Sequence, residues 1–344
     1  MRNKEYFYAL NGWRFIFSLL IVLHHMPSEW KPCVAGWDFG NTIVLFFFIL
    51  SGFLLTLGYK DKIQSGTIGY EDFVIKRASS IFPLQILMTV LYVLFGINVV
   101  TYWAVPFHLT LTQSLLPLWE VNFTLNIHSW FLSSIFICYL LLWPVLAFVK
   151  KRGTLLLIYS TIIVCWNVFV YLLPEGVGTR WLCYINPFAR FIDFSAGILL
   201  ALYWNKIKCI FNKLLKNNHV ATLCEVVIIC IVFYYFTNKS IQEYNNYTIL
   251  RYPLIFLFII IFALSTGVVS RILGTGFFNK LGNLSIAIYM CHGFILYFSP
   301  QLGANYVSII ATYILTILFS YILVHYYCPV AQKLFIRLLS KKNK

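Results

Sequence analysis

Acid is what this chain has least of: its 344 residues include 11 Asp and Glu against 26 Lys and Arg, and charged residues of both signs make up only 11%. That scarcity, with 60% hydrophobic residues and a mean hydropathy of +0.80, excludes a soluble globule, which at this length cannot hide so much apolar surface from water. Polar linkers, low-complexity tracts and evident internal repeats are also lacking. The sequence therefore reads as one membrane domain over residues 1–344, and the inverted-repeat plan of many transporters finds no support. The nine cysteines include no C-x-x-C pair and no Cys/His cluster with zinc spacing, which leaves a metal centre without sequence support. Cys138, Cys165, Cys224, Cys230 and Cys291 fall in or near apolar runs, where a thiol acts as a small hydrophobe. Cys33 is the one candidate for an outer face.

What the chain does have is a series of apolar runs of about 20 residues, the length that crosses a bilayer core as helix. Ten are read, at roughly 12–28, 41–59, 81–101, 129–149, 154–173, 185–204, 220–237, 252–270, 283–299 and 307–327. The runs are continuous rather than alternating, which argues against a β-barrel, and backbone in lipid must satisfy its own hydrogen bonds. The expected fold class is all-α: a polytopic transmembrane helical bundle of about ten spans. Arg2 and Lys4 before the first run imitate a signal peptide, but no small-residue cleavage site follows, so the run is expected to be retained. Two connectors are long: 60–80, and 102–128 with His108, Trp119, Glu120 and His128, long enough for a re-entrant or interfacial piece.

With the N-terminus placed in the cytoplasm, twenty of the 26 Lys and Arg sort to the cytoplasmic side. Lys31, Arg180, Lys239 and Arg251 fall outside, and Arg14 and Arg190 lie within runs. This is the positive-inside asymmetry, and it predicts cytoplasmic termini. The net charge of +15 is then topological, with membrane lipids and not nucleic acid as the partner.

Within the first run, Arg14 and His25 stand eleven residues apart. At 100° of rotation per residue, His25 returns to within about 20° of the direction of Arg14, about 16 Å further along the axis. His24 points about 80° away from that face. Ionisable groups inside a bilayer are costly and mark sites. A neutral imidazole can take a proton from a hydroxyl and return it, while an arginine, always charged, pairs with phosphate or carboxylate. The bland alternative has His25 at the interface and Arg14 snorkelling to lipid phosphate.

Other segments carry weaker signals. Ser51-Gly52 in FFFILSGFLLT suggests a close helix contact. Lys76 and Arg77 in KRASSIFP stand before a span whose first turn holds Pro83, and they suit a nucleotide phosphate or lipid headgroups. Trp130 and Tyr139 in HSWFLSSIFICYLL fit an interfacial anchor and a core aromatic. Arg190 and Asp193, three apart, suit an intrahelical ion pair. Ser285, Tyr289 and His292 share one helix face as either interhelical hydrogen bonding or a cavity wall.

In this order the segments resemble the integral-membrane acyltransferase-3 family of bacterial cell-surface acylases. LNGWRFIFSLLIVLHH is similar to its opening Arg…His motif through Arg14 and His25. FFFILSGF matches its FFxLSGF segment, and KRASSIFP its basic segment through Lys76, Arg77 and Pro83. WFLSSIFICY resembles its Trp-x-Leu-Ser block, ARFIDFSAG its Arg-x-x-acid block, and LGNLSIAIYMCH its late Gly…Ser…Tyr…His block. The likeness covers roughly residues 8–300. Ser80 replaces a further Arg, Leu45 an Asp, and Ile135-Phe136 an acidic pair, which places the chain with the WFL-type branch. The stand-alone form, without a C-terminal hydrolase-like domain, is expected.

The resemblance implies transfer of an acyl group, usually acetyl from acetyl-CoA, to a hydroxyl of a surface glycan or lipid-linked saccharide at the bacterial inner membrane. In that scheme His25 is the base, Lys76, Arg77 and Arg14 hold the acyl-CoA, and Ser51, Trp130, Ser285, Tyr289 and His292 line the cavity. No metal is expected. A polysaccharide polymerase or flippase would instead favour arginine clusters on the outer loops, which hold four cations in all. A secondary transporter would favour several acids within spans, where only Asp193 qualifies clearly.

Overall fold

The computed structural model describes residues 6–30, 39–148, 152–172, 181–237, 251–299 and 306–340. Lys31, Cys33, Arg180 and Lys239 lie outside the described residues. Among those described, every regular element is helical, as continuous apolar runs dictate. The first half of the chain forms α1 (Tyr8–His25), α2 (Gly40–Gln64), α3 (Tyr70–Ser79), α4 (Phe82–Leu94), the short α5 (Val105–Thr110) and α6 (Trp119–Asn122), α7 (Trp130–Phe148) and α8 (Arg152–Leu172). The second half forms α9 (Pro187–Leu214), α10 (Asn218–Thr237), α11 (Arg251–Leu264), α12 (Val268–Leu273), α13 (Gly276–Gly282), α14 (Ser285–Phe298), α15 (Tyr306–Ile322) and α16 (Cys328–Ser340).

Each of the ten apolar runs coincides with a helix, but the span count differs from ten. Six helices among the described residues are long and apolar enough to cross a membrane, or eight if the bent pairs α3–α4 and α13–α14 each count as one span. The two remaining runs fall short for separate reasons. The helix α11 has 14 residues, and α1, with 18, carries Asn11, Arg14, His24 and His25 among its apolar side chains.

The contact expected at Ser51-Gly52 is present and reciprocal. A Cβ on Gly52 would lie 2.0 Å from the carbonyl oxygen of Phe194 in α9, and one on Gly197 would lie 2.0 Å from that of Ile49 in α2. Only a missing side chain lets the two backbones approach so closely. The same device seats α1: a Cβ on Gly282 would lie 2.2 Å from the carbonyl oxygen of Asn11.

One buried acid corrects the sequence reading, which credited the spans with Asp193 alone. Glu225 in α10 is 1% exposed. Its carboxylate accepts from the backbone N–H groups of Gly267 (3.0 Å), Val269 (2.9 Å) and Ser270 (3.3 Å), and from the Ser270 hydroxyl. It therefore caps the N-terminus of α12, where unpaired donors and the helix dipole favour an anion.

The segment between α4 and α7 folds back on itself and is tied to the bundle. His108 Nε2 donates to the Val121 carbonyl at 2.8 Å, its Nδ1 sits 3.1 Å from the Ser129 hydroxyl, and Gln85 in α4 donates to its carbonyl at 3.0 Å. Asn126 donates to the carbonyl of Met290 in α14 at 3.0 Å. That bond fixes the turn carrying His128 against α14.

Two expectations follow. Gly52→Ala and Gly197→Ala each lower stability by about 1–3 kcal/mol, the usual cost of overpacking, read as melting in detergent. Gly58→Ala, in the same helix with nothing within 4 Å of its Cβ position, leaves melting unchanged or raised. Burial also pushes the His108 imidazole from 6.5 down to about 4, so the folded segment holds it neutral while an unfolded one takes up a proton below about 6.5. Its stabilisation is complete above pH 6.5 and is lost as pH falls toward 4. Hydrogen exchange over residues 95–128 is therefore faster at pH 5 than at pH 7.5, and His108→Gln flattens that difference.

Candidate active site

Arg14 is placed by a ladder of amides. Where Gly282 lets α1 approach, Asn11 Nδ2 donates to the Asn279 carbonyl (2.9 Å), the Asn279 side chain (2.8 Å) and the Asn283 side chain (3.2 Å). With its amide so oriented, Asn11 Oδ1 accepts from Arg14 Nη1 at 3.0 Å. This is the one hydrogen bond of the guanidinium among the described residues, out of five donors. Its electrostatic neighbours are Tyr139 and Tyr6.

Three further helices converge on the same place. Tyr139 of α7 lies beside Ser51 of α2, with Arg14 and Arg77 of α3 both within electrostatic reach of it. Arg77 Nη2 donates to the Tyr59 hydroxyl at 3.0 Å, its guanidinium lies 5.2 Å from the centre of that ring, and its buried Nε has no hydrogen-bond partner. Neither guanidinium has a carboxylate partner among the described residues. Two half-buried cations so placed suit an anion. Lys76, by contrast, is exposed on the surface of α3, and Ser51 belongs with this basic cluster rather than with His25.

The far end of α1 enters a cluster of histidines. His25 Nδ1 lies 2.9 Å from the carbonyl of Ile21 and 3.2 Å from His292 Nε2, and His292 Nδ1 lies 3.3 Å from the carbonyl of Ile288. His128 packs on both, with ring centres 4.1 Å from His25 and 4.2 Å from His292. His128 and His292 are buried, while His25 is exposed. One nitrogen from each of the three rings lies within 4.8 Å of the others, a spacing that could also hold a metal ion. Positions 25, 128 and 292 have no sequence spacing that reveals such a group.

Of the remaining candidates, Tyr289 sits beside the histidines with its ring centre 5.8 Å from His292. Trp130 packs at 4.8 Å on Tyr184. Ser285 is buried with its hydroxyl unpaired among the described residues, about 10 Å along the helix axis from His292. The pair expected at Arg190 and Asp193 is present at 2.5 Å. Arg190 also donates to the carbonyls of Tyr184 (2.6 Å) and Cys183 (3.0 Å), and the Tyr252 hydroxyl donates to Asp193. This satisfied network lines a separate pocket of about 40 Å³, which fits a structural role.

Sequence reasoning gave no role to His128 or Asn11. Three polar residues just before the Trp block, Asn126, His128 and Ser129, were the available signal for the first. For the second it was an amide one helical turn before an arginine within an apolar run.

A family model described as an acyltransferase domain matches residues 7–325, from the start of α1 to the turn after α15, and so takes in both clusters. No curated protein and no solved structure matches the chain. With this match over nearly the whole length, the chain belongs to the acyltransferase-3 family of membrane acyltransferases.

Proposed function

We propose that the protein is an O-acyltransferase that moves an acyl group, most simply acetyl from acetyl-CoA, to a hydroxyl of a cell-surface glycan or lipid-linked saccharide. The reading places it in the bacterial inner membrane with cytoplasmic termini and acyl-CoA as co-substrate. The observation that carries it is the pairing on α1 of Arg14, half-buried and without an acid among the described residues, and His25, exposed at the other end about 16 Å away.

Arg14 and Arg77 supply the positive charge that the phosphates of CoA require, with Tyr139 within electrostatic reach of both and Tyr59 holding Arg77. Lys76, exposed at the mouth, adds steering for a polyanion. The pantetheine arm is long enough to cover the distance along α1 and to present its thioester beside His25. The carbonyl contact at Nδ1 makes that nitrogen the N–H donor and leaves the lone pair on Nε2. His25 Nε2 takes the proton of the acceptor hydroxyl, and the alkoxide oxygen bonds to the thioester carbon. The carbon–sulfur bond of the tetrahedral intermediate then breaks, and the leaving thiolate takes the proton from the imidazolium, giving the ester and free CoA.

Purified protein in lipid vesicles is expected to release thiol from acetyl-CoA in step with ester formation on an envelope saccharide acceptor. His25→Ala loses about 10²–10⁴-fold in rate, the usual share of a general base. Arg14→Lys, which keeps charge but not the planar fork, raises KM for acetyl-CoA. Unchanged thiol release by His25→Ala contradicts the mechanism. A wild-type protein that consumes no acyl thioester contradicts the function and favours a polymerase, flippase or exporter.

A further inference from the structure

We infer that His292 is a positioning residue for the general base: its Nε2 accepts the Nδ1–H of His25, holds that imidazole in the tautomer with a basic Nε2, and stabilises the imidazolium formed during transfer. The inference rests on the acyl-transfer reading and names a part of its machinery that the opening Arg…His motif does not contain.

The geometry assigns the protons. His292 Nδ1 faces the carbonyl of Ile288, one turn earlier in its own helix, at 3.3 Å. A carbonyl only accepts, so Nδ1 carries the proton and Nε2 carries a lone pair. That lone pair points to His25 Nδ1 at 3.2 Å. His25 Nδ1 in turn lies 2.9 Å from the Ile21 carbonyl, so it too is an N–H, shared between a carbonyl oxygen and an imidazole nitrogen. Both contacts are consistent with one hydrogen-bond direction, from His25 to His292. The 3.2 Å contact between the two nitrogens is therefore donor to acceptor. A metal ion bound through His25 Nδ1 would need that proton to be absent.

This arrangement does the work that a carboxylate does in a Ser-His-Asp triad, where a second group fixes the tautomer of the base and stabilises its charged form. Acid is scarce in this chain, and the titratable groups acting electrostatically on His128 and His292 are other histidines. A neutral imidazole acceptor is compatible with an apolar interior, where an isolated carboxylate is costly. His128, packed on both rings and tied to α14 through Asn126, sets their separation. During turnover the acceptor's proton enters at His25 Nε2 and leaves on the thiolate. The Nδ1 proton remains in the hydrogen bond to His292, so no net proton is gained or lost by the pair.

The test compares two substitutions in the full chain in lipid vesicles, with acetyl-CoA as donor and an envelope saccharide extract as acceptor. His292→Gln keeps an acceptor oxygen near the position of Nε2, while His292→Phe keeps a ring without one. His292→Phe is expected to lower kcat at least about 100-fold, with KM for acetyl-CoA within twofold and unchanged melting. His292→Gln is expected to retain kcat within about tenfold of wild type. Equal rates for the two variants, whether both high or both low, overturn the inference. So does stoichiometric zinc in the purified protein that is lost in His292→Phe, because it makes the cluster a metal site. Full activity of His292→Phe beside an inactive His25→Ala removes the role of His292 and leaves the acyl-transfer reading intact, whereas an inactive wild type removes both.

Discussion

A guanidinium set among apolar helices, with no acid beside it among the described residues, is the constraint on which the rest of this structure depends. Desolvating such a group costs several kcal/mol, and the usual compensation is an ion pair. Arg190 has that compensation in Asp193 and is further tied down by two carbonyls. Arg14 has one amide oxygen, and the nearby Arg77 a tyrosine hydroxyl. The contrast separates Arg14 from Arg190 by role. Arg190 is internally satisfied and holds α9 in place, whereas Arg14 has no acid beside it among the described residues, and on the proposed reading its counter-charge comes from the acyl donor.

The fold fixes that arginine relative to the histidines by making α1 and the α13–α14 pair a common frame. At one end Asn11 is bonded to Asn279 and Asn283 over the close approach at Gly282. At the other, His25 meets His292. The two helices run side by side between these contacts, so the separation of cation and base is set by helix geometry and not by a loop. The segment between α4 and α7 completes the frame by bringing His128 against both rings, anchored through His108 and Asn126. On the proposed reading, this length suits a long donor with a phosphate end and a reactive end, and His25 at the exposed end of the helix meets the acceptor.

Much of this was legible in the sequence, and the reasons are local. Helical periodicity alone put Arg14 and His25 on one face, because eleven residues are close to three full turns. The Ser51-Gly52 step announced a close helix contact, since little else explains a glycine amid aromatics, and spacing gave the Arg190–Asp193 pair. What stayed hidden was relational. Nothing local says that His128 lies beside His25, or that Glu225 caps a helix more than forty residues further along, because both depend on which helices become neighbours. The count of spans failed for a related reason. Hydropathy registers runs, but α1 is made polar by the residues that give it a role, α11 is short, and two runs belong to bent pairs.

The central claim is that one helix holds the phosphate end and the reactive end of an acyl donor. A structure of the full chain in lipid with a non-hydrolysable thioether analogue of acetyl-CoA tests it most directly. The account predicts CoA phosphates in contact with Arg14 and Arg77 and the thioether carbonyl within hydrogen-bonding distance of His25 or an acceptor hydroxyl beside it. Density for the analogue elsewhere on the protein, with both ends of α1 closed to it, would contradict the account.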